Sequence, residues 1–201
     1  MVDHIIYTDP DLRNGIATFA ATYGVKAMPG GRHLGFGTRN ALIGLGEESY
    51  LEIVALDPEQ DVPASKRFLR LEEHSMPGFA TWCARANRPL EETVAIAREA
   101  GLDLGEISWM SRKRQDGSTI SWRWTSRWTS PFAAREAVLP FYVDWGDAAH
   151  PASTLPPLLT LVSLTCLHPD IERIRDLLRA LGEDCVETQY GPEPSLRVRL
   201  R

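Results

Sequence analysis

Apolar and polar positions along the chain follow the same succession three times. Residues 2–8 (VDHIIYT) are rich in β-branched side chains and predict a strand. Asp9-Pro10-Asp11 break it. Leu12, Ile16, Phe19, Ala20 and Tyr23 then share one face of a helix, and Gly24 stands where that helix ends. Residues 79–86 (FATWCARA) predict a second strand and Asn87-Arg88-Pro89 a second break. Leu90, Val94, Ala97 and Ala100 form the next helical stripe, stopped by Gly101. The third set comprises residues 158–167 (LLTLVSLTCL), the break His168-Pro169-Asp170, the stripe Ile171, Ile174, Leu177, Leu178 and Leu181, and Gly182. The stripes begin at Leu12, Leu90 and Ile171, which are 78 and 81 residues apart. One such strand–helix pair is common; three at near-constant separation indicate a repeated unit.

A β-rich stretch follows each helix. Residues 39–45 and 50–56 flank Gly46-Glu47-Glu48-Ser49, a four-residue hairpin turn, and residues 108–114 and 118–125 flank Asp116-Gly117, a strong hairpin signal. A further strand is expected at 139–145, after Ser130-Pro131, and a terminal one at 196–200. Residues 57–77 carry three prolines and a polar helical stretch around Phe68 and Leu71, which reads as a crossover. The pattern therefore predicts an α+β fold. A βαβββ module spans 1–57, a linker 58–77 and a second module 78–150. A partial third repeat, 151–201, packs on the same domain.

Composition narrows the function classes. The 201 residues are 43% apolar and 24% charged, close to the average for a globular domain, which excludes disordered and fibrous classes. No run of 18 apolar residues occurs, so no membrane partner is expected. Residues 1–10 lack a basic, apolar-cored leader, so no signal peptide is expected. The net charge of −5 argues against a nucleic-acid partner. Cys83, Cys166 and Cys185 show no C-x-x-C spacing and read as structural thiols of a reducing cytoplasm.

Candidate chemistry begins with His4 and Glu52. Alternation puts His4 on one strand face with Val2, Ile6 and Thr8, and Glu52 on one with Tyr50 and Val54. An ionised carboxylate among apolar neighbours needs a partner. A His and a Glu converging from two strands are a basis for a divalent metal site; the plainer reading is a surface His and an edge-strand Glu. Residues 28–40 (MPGGRHLGFGTRN) hold glycines at 30, 31, 35 and 37. No Gly-Lys-Ser/Thr follows and the segment leads into a strand, so it is no phosphate loop. It either lines a pocket with Arg32, His33, Arg39 and Asn40 or is a flexible surface loop. Trp122, Trp124 and Trp128 share a strand face, with Arg123 and Arg127 alternating. That face packs a core or walls an aromatic pocket. No nucleophile elbow, H-E-x-x-H or C-x-x-C occurs.

Asp3-His4, Gly30-Gly31-Arg32-His33, Gly37-Thr38-Arg39-Asn40 and Tyr50-Leu51-Glu52-Ile53 together resemble a glyoxalase-like domain of the vicinal oxygen chelate superfamily. The later run 139–145 (LPFYVDW) with His150-Pro151 resembles it too. The resemblance implies paired βαβββ modules curving into an open barrel around a cavity, with a divalent metal (Zn, Mn or Fe) held by the first and last strands of the modules. Carried over residue by residue, the ligands are His4, Glu52 and Asp144. It implies a small, oxygen-rich or anionic ligand handled by isomerase, lyase or oxygenase chemistry, with Glu52 as general base, its proton affinity raised by desolvation, and His4 as ligand or acid/base. His33, Arg39, Asn40 and Trp82 line the pocket, Arg39 and Arg32 neutralise charge, and a homodimer is expected. Superposing Leu12 on Leu90 sets Trp82 opposite His4, where a ligand is expected and tryptophan has none to offer. The other reading is thus a metal-free binding and sequestering module of the bleomycin-resistance type, with Trp82 as an aromatic wall.

Overall fold

The computed structural model describes residues 1–73, 77–114, 116–126 and 137–201. Strand β1 (Val2–Thr8) leads into helix α1 (Leu12–Tyr23). Asp11 caps α1 by accepting from the Arg13 amide, and Gly24, at φ 69°, ends it in the left-handed conformation that glycine adopts without cost. Strands β2 (Met28–His33), β3 (Thr38–Gly44) and β4 (Tyr50–Leu56) complete the first module. Two 3-10 segments, Ala64–Lys66 and Phe68–Glu73, fill the crossover. The second module repeats the order: β5 (Gly78–Arg85), α2 (Leu90–Glu99), β6 (Ile107–Lys113), β7 (Thr119–Thr125) and β8 (Phe141–Asp144). A 3-10 turn, Pro151–Thr154, precedes β9 (Leu161–His168), α3 (Ile171–Leu181), β10 (Glu187–Tyr190) and β11 (Ser195–Leu200).

The two modules form one eight-stranded barrel in the order β1-β4-β3-β2-β6-β7-β8-β5, joined edge to edge at two antiparallel seams. At one seam His4 pairs with Cys83 and Ile5 with Trp82. At the other Arg32 pairs with Lys113 and His33 with Arg112. Closure leaves no free edge in the ring. The third repeat therefore builds its own three-stranded sheet, β10-β9-β11, outside the barrel.

Alternation along the strands makes two apolar cores. Ile6, Tyr50, Val54, Cys83, Met110, Trp122, Phe141, Val143 and Trp145 fill the barrel interior. Ile5, Tyr7, Leu51, Ile53 and Trp82 face outward, into a layer shared with Phe19 of α1, Leu90 of α2 and Ile174 and Leu178 of α3.

Residues 28–40 are a hairpin rather than a loop. Met28 pairs with Leu42 and His33 with Thr38, and Gly35 and Gly37 turn the chain at φ 78° and 64°. A proline and two glycines hide this strand from propensity. What makes it a strand is pairing with β3 and β6 on either side. The third strand begins at Leu161, three residues later than the apolar run suggests. Trp122 and Trp124 do share the inner face; Trp128, Arg127 and Ser130-Pro131 lie outside the described residues.

Candidate functional site

His4 and Glu52 meet inside the barrel. Both are buried, and His4 Nε2 stands 3.4 Å from Glu52 Oε2. Tyr50, directly opposite His4 on β4, stacks on its ring at 4.7 Å. The other ring nitrogen, Nδ1, lies 2.7 Å from Asp3 Oδ1. Asp3 is the extra residue of a bulge where β1 meets β5, and a bulge re-aims a side chain that strict alternation would send elsewhere.

Asp3 is the most heavily partnered group in the site. Its Oδ2 accepts from Arg85 Nε and Trp145 Nε1, each at 3.0 Å. His150 Nε2 is also 3.0 Å away, and His150 Nδ1 accepts the Ala152 amide, so Nε2 carries the proton and donates. Burial pushes the Asp3 carboxyl up; the hydrogen bonds and charges of His150 and His4 outweigh it and hold the group well below the usual carboxylate range. An ionised Asp3 can only accept. His4 Nδ1 is therefore its donor, and Nε2 is the nitrogen free to exchange a proton.

Glu52 is gripped from the opposite side by the β2–β3 hairpin. Asn40 Nδ2 donates to Glu52 Oε1 at 2.5 Å, and His33 Nε2 lies 3.3 Å from the same oxygen. His33 is fixed in turn by Thr38 Oγ1, 2.8 Å from its Nδ1. Burial raises the Glu52 pKa, yet the His33 hydrogen bond, the charges of His33 and His4, and the Asn40 amide bring it down to about 2. Desolvation alone would raise it, as expected from the sequence; hydrogen bonding to the charged form wins. His33 and Asn40, expected to line the pocket, thus reach it as the clamp on Glu52.

Four other candidates land elsewhere. Trp82 points into the outer core, where its Nε1 donates to the Val138 carbonyl; the register puts Cys83, not Trp82, opposite His4. Paired residues share a face: Trp82 pairs with Ile5, which faces outward, and Cys83 with His4, which faces inward. Asp144 also faces outward, since Phe141, Val143 and Trp145 take the inner positions; its carboxylate lies 3.8 Å from Arg123. Arg32 and Arg39 are cross-strand neighbours on the outer face, lining a groove of about 530 Å³ with Leu12, Ile16 and Lys113. Arg32 is paired there with Asp57 and Glu59.

The donor set does not fit the metal that the resemblance implies. His4 Nε2 and Glu52 Oε2 could flank one ion, but Asp144 is on the wrong face and His33 addresses the other oxygen of Glu52. Among the described residues, the three ligating side chains whose donor atoms converge are Asp3, His4 and Cys83. There Asp3 is filled by donors, and burial together with Asp3 and Glu52 pushes the Cys83 thiol well above its ordinary range, which keeps it protonated.

Two residues of the site, Asp3 and Arg112, escaped the sequence reading. Arg112, on β6 beside Met110, is only 4% exposed and lines the same cavity as His4, His33, Tyr50 and Glu52. The signal was its place two residues after Met110 on a strand whose inner face is apolar. The cavity itself holds about 20 Å³, room for one water. Phe68 stops it, packing edge-on against His33, Trp124 and Phe141.

No curated protein sequence matches the chain. Among solved structures, a hypothetical protein from Staphylococcus aureus superposes with a TM-score of 0.70 at 14% identity, covering 96% of this chain and 87% of that one. A methylmalonyl-CoA epimerase from Streptomyces coelicolor, solved with 2-nitronate-propionyl-CoA, gives 0.46 at 19% identity over 75% of this chain and 98% of its own. The Mycobacterium tuberculosis methylmalonyl-CoA epimerase gives 0.42 at 16%, over 72% and 87%. These likenesses concern the fold. No helix of the described residues is long and apolar enough to cross a membrane. The model of the glyoxalase-like domain matches residues 2–182, both barrel modules and most of the third repeat, and the chain accordingly belongs to the glyoxalase-like domain family.

Proposed function

We propose that the barrel takes up a small oxygen-rich molecule in the place that Phe68 fills here, and moves a proton on it, with His4 Nε2 as the exchanging atom. The observation that carries this reading is the line Asp3–His4–Glu52, with contacts of 2.7 and 3.4 Å, at the wall of a buried cavity. Asp3 fixes the tautomer and aims the ring. A proton arriving on Nε2 meets the Glu52 carboxylate, which stabilises the imidazolium that forms; an oriented acid–base group of this kind contributes about 10²–10⁴-fold to rate. Glu52 itself, with a pKa near 2, is too weak a base to be the first acceptor. The reaction class that fits is proton abstraction beside a carbonyl, as in an isomerase or epimerase, and no step needs an ion.

The test is deuterium exchange. Small α-acidic carbonyl compounds and 2-substituted carboxylic acids are incubated with the protein in D₂O and followed by NMR. The wild type is expected to exchange an α-proton of at least one of them, before and after chelation of divalent ions. His4→Gln lowers the rate about 100-fold or more and Glu52→Gln about 10-fold or more. Exchange that survives both substitutions overturns the reading. Saturable binding with quenching of Trp122 and Trp145 fluorescence, but no exchange, makes the barrel a sequestering site instead.

A further inference from the structure

We infer that Arg112 anchors an anionic group, a carboxylate or a phosphate, of the molecule that enters the barrel. The inference rests on the proton-transfer reading for what happens at the other end of that molecule. Arg112 is buried, yet no carboxylate among the described residues comes within ion-pair distance of it, and its Nε has no hydrogen-bond partner. An uncompensated buried charge is among the most costly features a fold can carry. Arginine cannot shed its proton to escape that cost. The acid that lines the cavity, Glu52, is already engaged by Asn40, His33 and His4.

The position of Arg112 supplies a route as well as a charge. It lines the inner cavity with His4 and Glu52, and also a second groove of about 330 Å³ lined by Leu42 of the barrel interior. Among the described residues it is the single side chain common to the two. The groove is bounded by Pro29 and Gly30 of β2, Arg114, and Pro151 and Leu155 beyond β8, and Asp116 is its one acid. An anion arriving there meets the guanidinium fork, which matches the two oxygens of a carboxylate or phosphate, and leaves the rest of the molecule directed at His4. The cationic role assigned from sequence to Arg32 and Arg39 passes in this way to a residue inside the wall.

Malonate and inorganic phosphate are the probes, with the neutral diamide of malonate as control. Isothermal titration at neutral pH is expected to show saturable binding of at least one anion to the wild type and none of the diamide. Malonate without phosphate identifies a carboxylate ligand, and phosphate without malonate a phosphorylated one. Arg112→Gln and Arg112→Met weaken the binding by tenfold or more, while Arg112→Lys retains part of it. Without ligand, Arg112→Met unfolds at a higher temperature than the wild type, by roughly 2–4 °C, because it removes an unpaired buried charge. Glu52→Gln still binds the anion, and a wild type that binds the anion but exchanges no proton sinks the proton-transfer reading alone. Anion affinity unchanged in both Arg112→Gln and Arg112→Met overturns the inference, as does a wild type that binds neither probe.

Discussion

Glu52 shows at the scale of single residues how a buried acid stays ionised. Its folded-state pKa near 2 lies below the 4.5 of an unperturbed glutamate. Its ionisation therefore stabilises the fold fully above about pH 4.5, and that contribution disappears as pH falls toward 2. Glu52→Gln removes it. Plotted against pH from 7 to 2, the thermal midpoint of the variant is expected to fall less steeply than that of the wild type, the two curves converging at the acid end. Parallel curves show that Glu52 carries no proton-linked stability. The pairing of Glu52 with His4 is legible in the sequence, because alternation along two short strands leaves each on an inner face. Asp3 and Arg112 are not. Asp3 turns inward through a bulge that depends on the register of β5, and Arg112 is marked only by its even spacing from Met110, a spacing that Arg114 shares. Their roles come from tertiary partners, or the want of them.

The elements divide along the same line. The helices are readable from stripe, cap and stop glycine, as Asp11 and Gly24 around α1 and Asp170 and Gly182 around α3 bear out. Strands β2 and β10 are not, and β2 is the one that delivers His33 and pairs with the strand that carries Asn40. The glycines of β2 are there for closeness. A Cβ on Gly30 would stand 2.1 Å from Asn40 Oδ1, and one on Gly31 would stand 2.1 Å from the Lys113 carbonyl across the seam. Gly30→Ala keeps ordinary backbone geometry, so its effect is local: the methyl displaces the Asn40 amide from Glu52. The expected outcome is a destabilisation of about 1–3 kcal/mol, in the range of overpacked sites, together with a shift to weaker pH dependence, stability falling less between pH 7 and pH 4 because a Glu52 pKa raised toward its unfolded value carries less proton-linked stability. Urea unfolding at pH 7 and pH 4 checks both. A stability loss without the weaker pH dependence assigns Gly30 to packing alone.

For the molecule as a whole, the question is why three similar units give one barrel and an appendage. Four strands from each of two modules use every edge of the ring, so a third unit has nothing left to pair with except itself. Its spacing is visible in the sequence; its exclusion from the barrel is a consequence of closure that spacing does not encode. Exclusion does not make it dispensable. Ile174 and Leu178 of α3 cover the outer core, Cys166 on β9 contacts the same Val138 carbonyl that receives Trp82 Nε1, and Tyr142 bonds Glu183. Trp82, fully buried in a layer between barrel and third repeat, would face water if that repeat were gone. Ending the chain after Pro157 is therefore expected to produce a protein that aggregates, or one with strong binding of a hydrophobic dye and a loss of near-ultraviolet dichroism from its tryptophans. The gel-filtration profile and dichroism of the shortened chain decide the matter. A monomeric product that retains the tryptophan signal and the proton exchange of the intact chain makes the barrel self-sufficient and the third repeat an accessory.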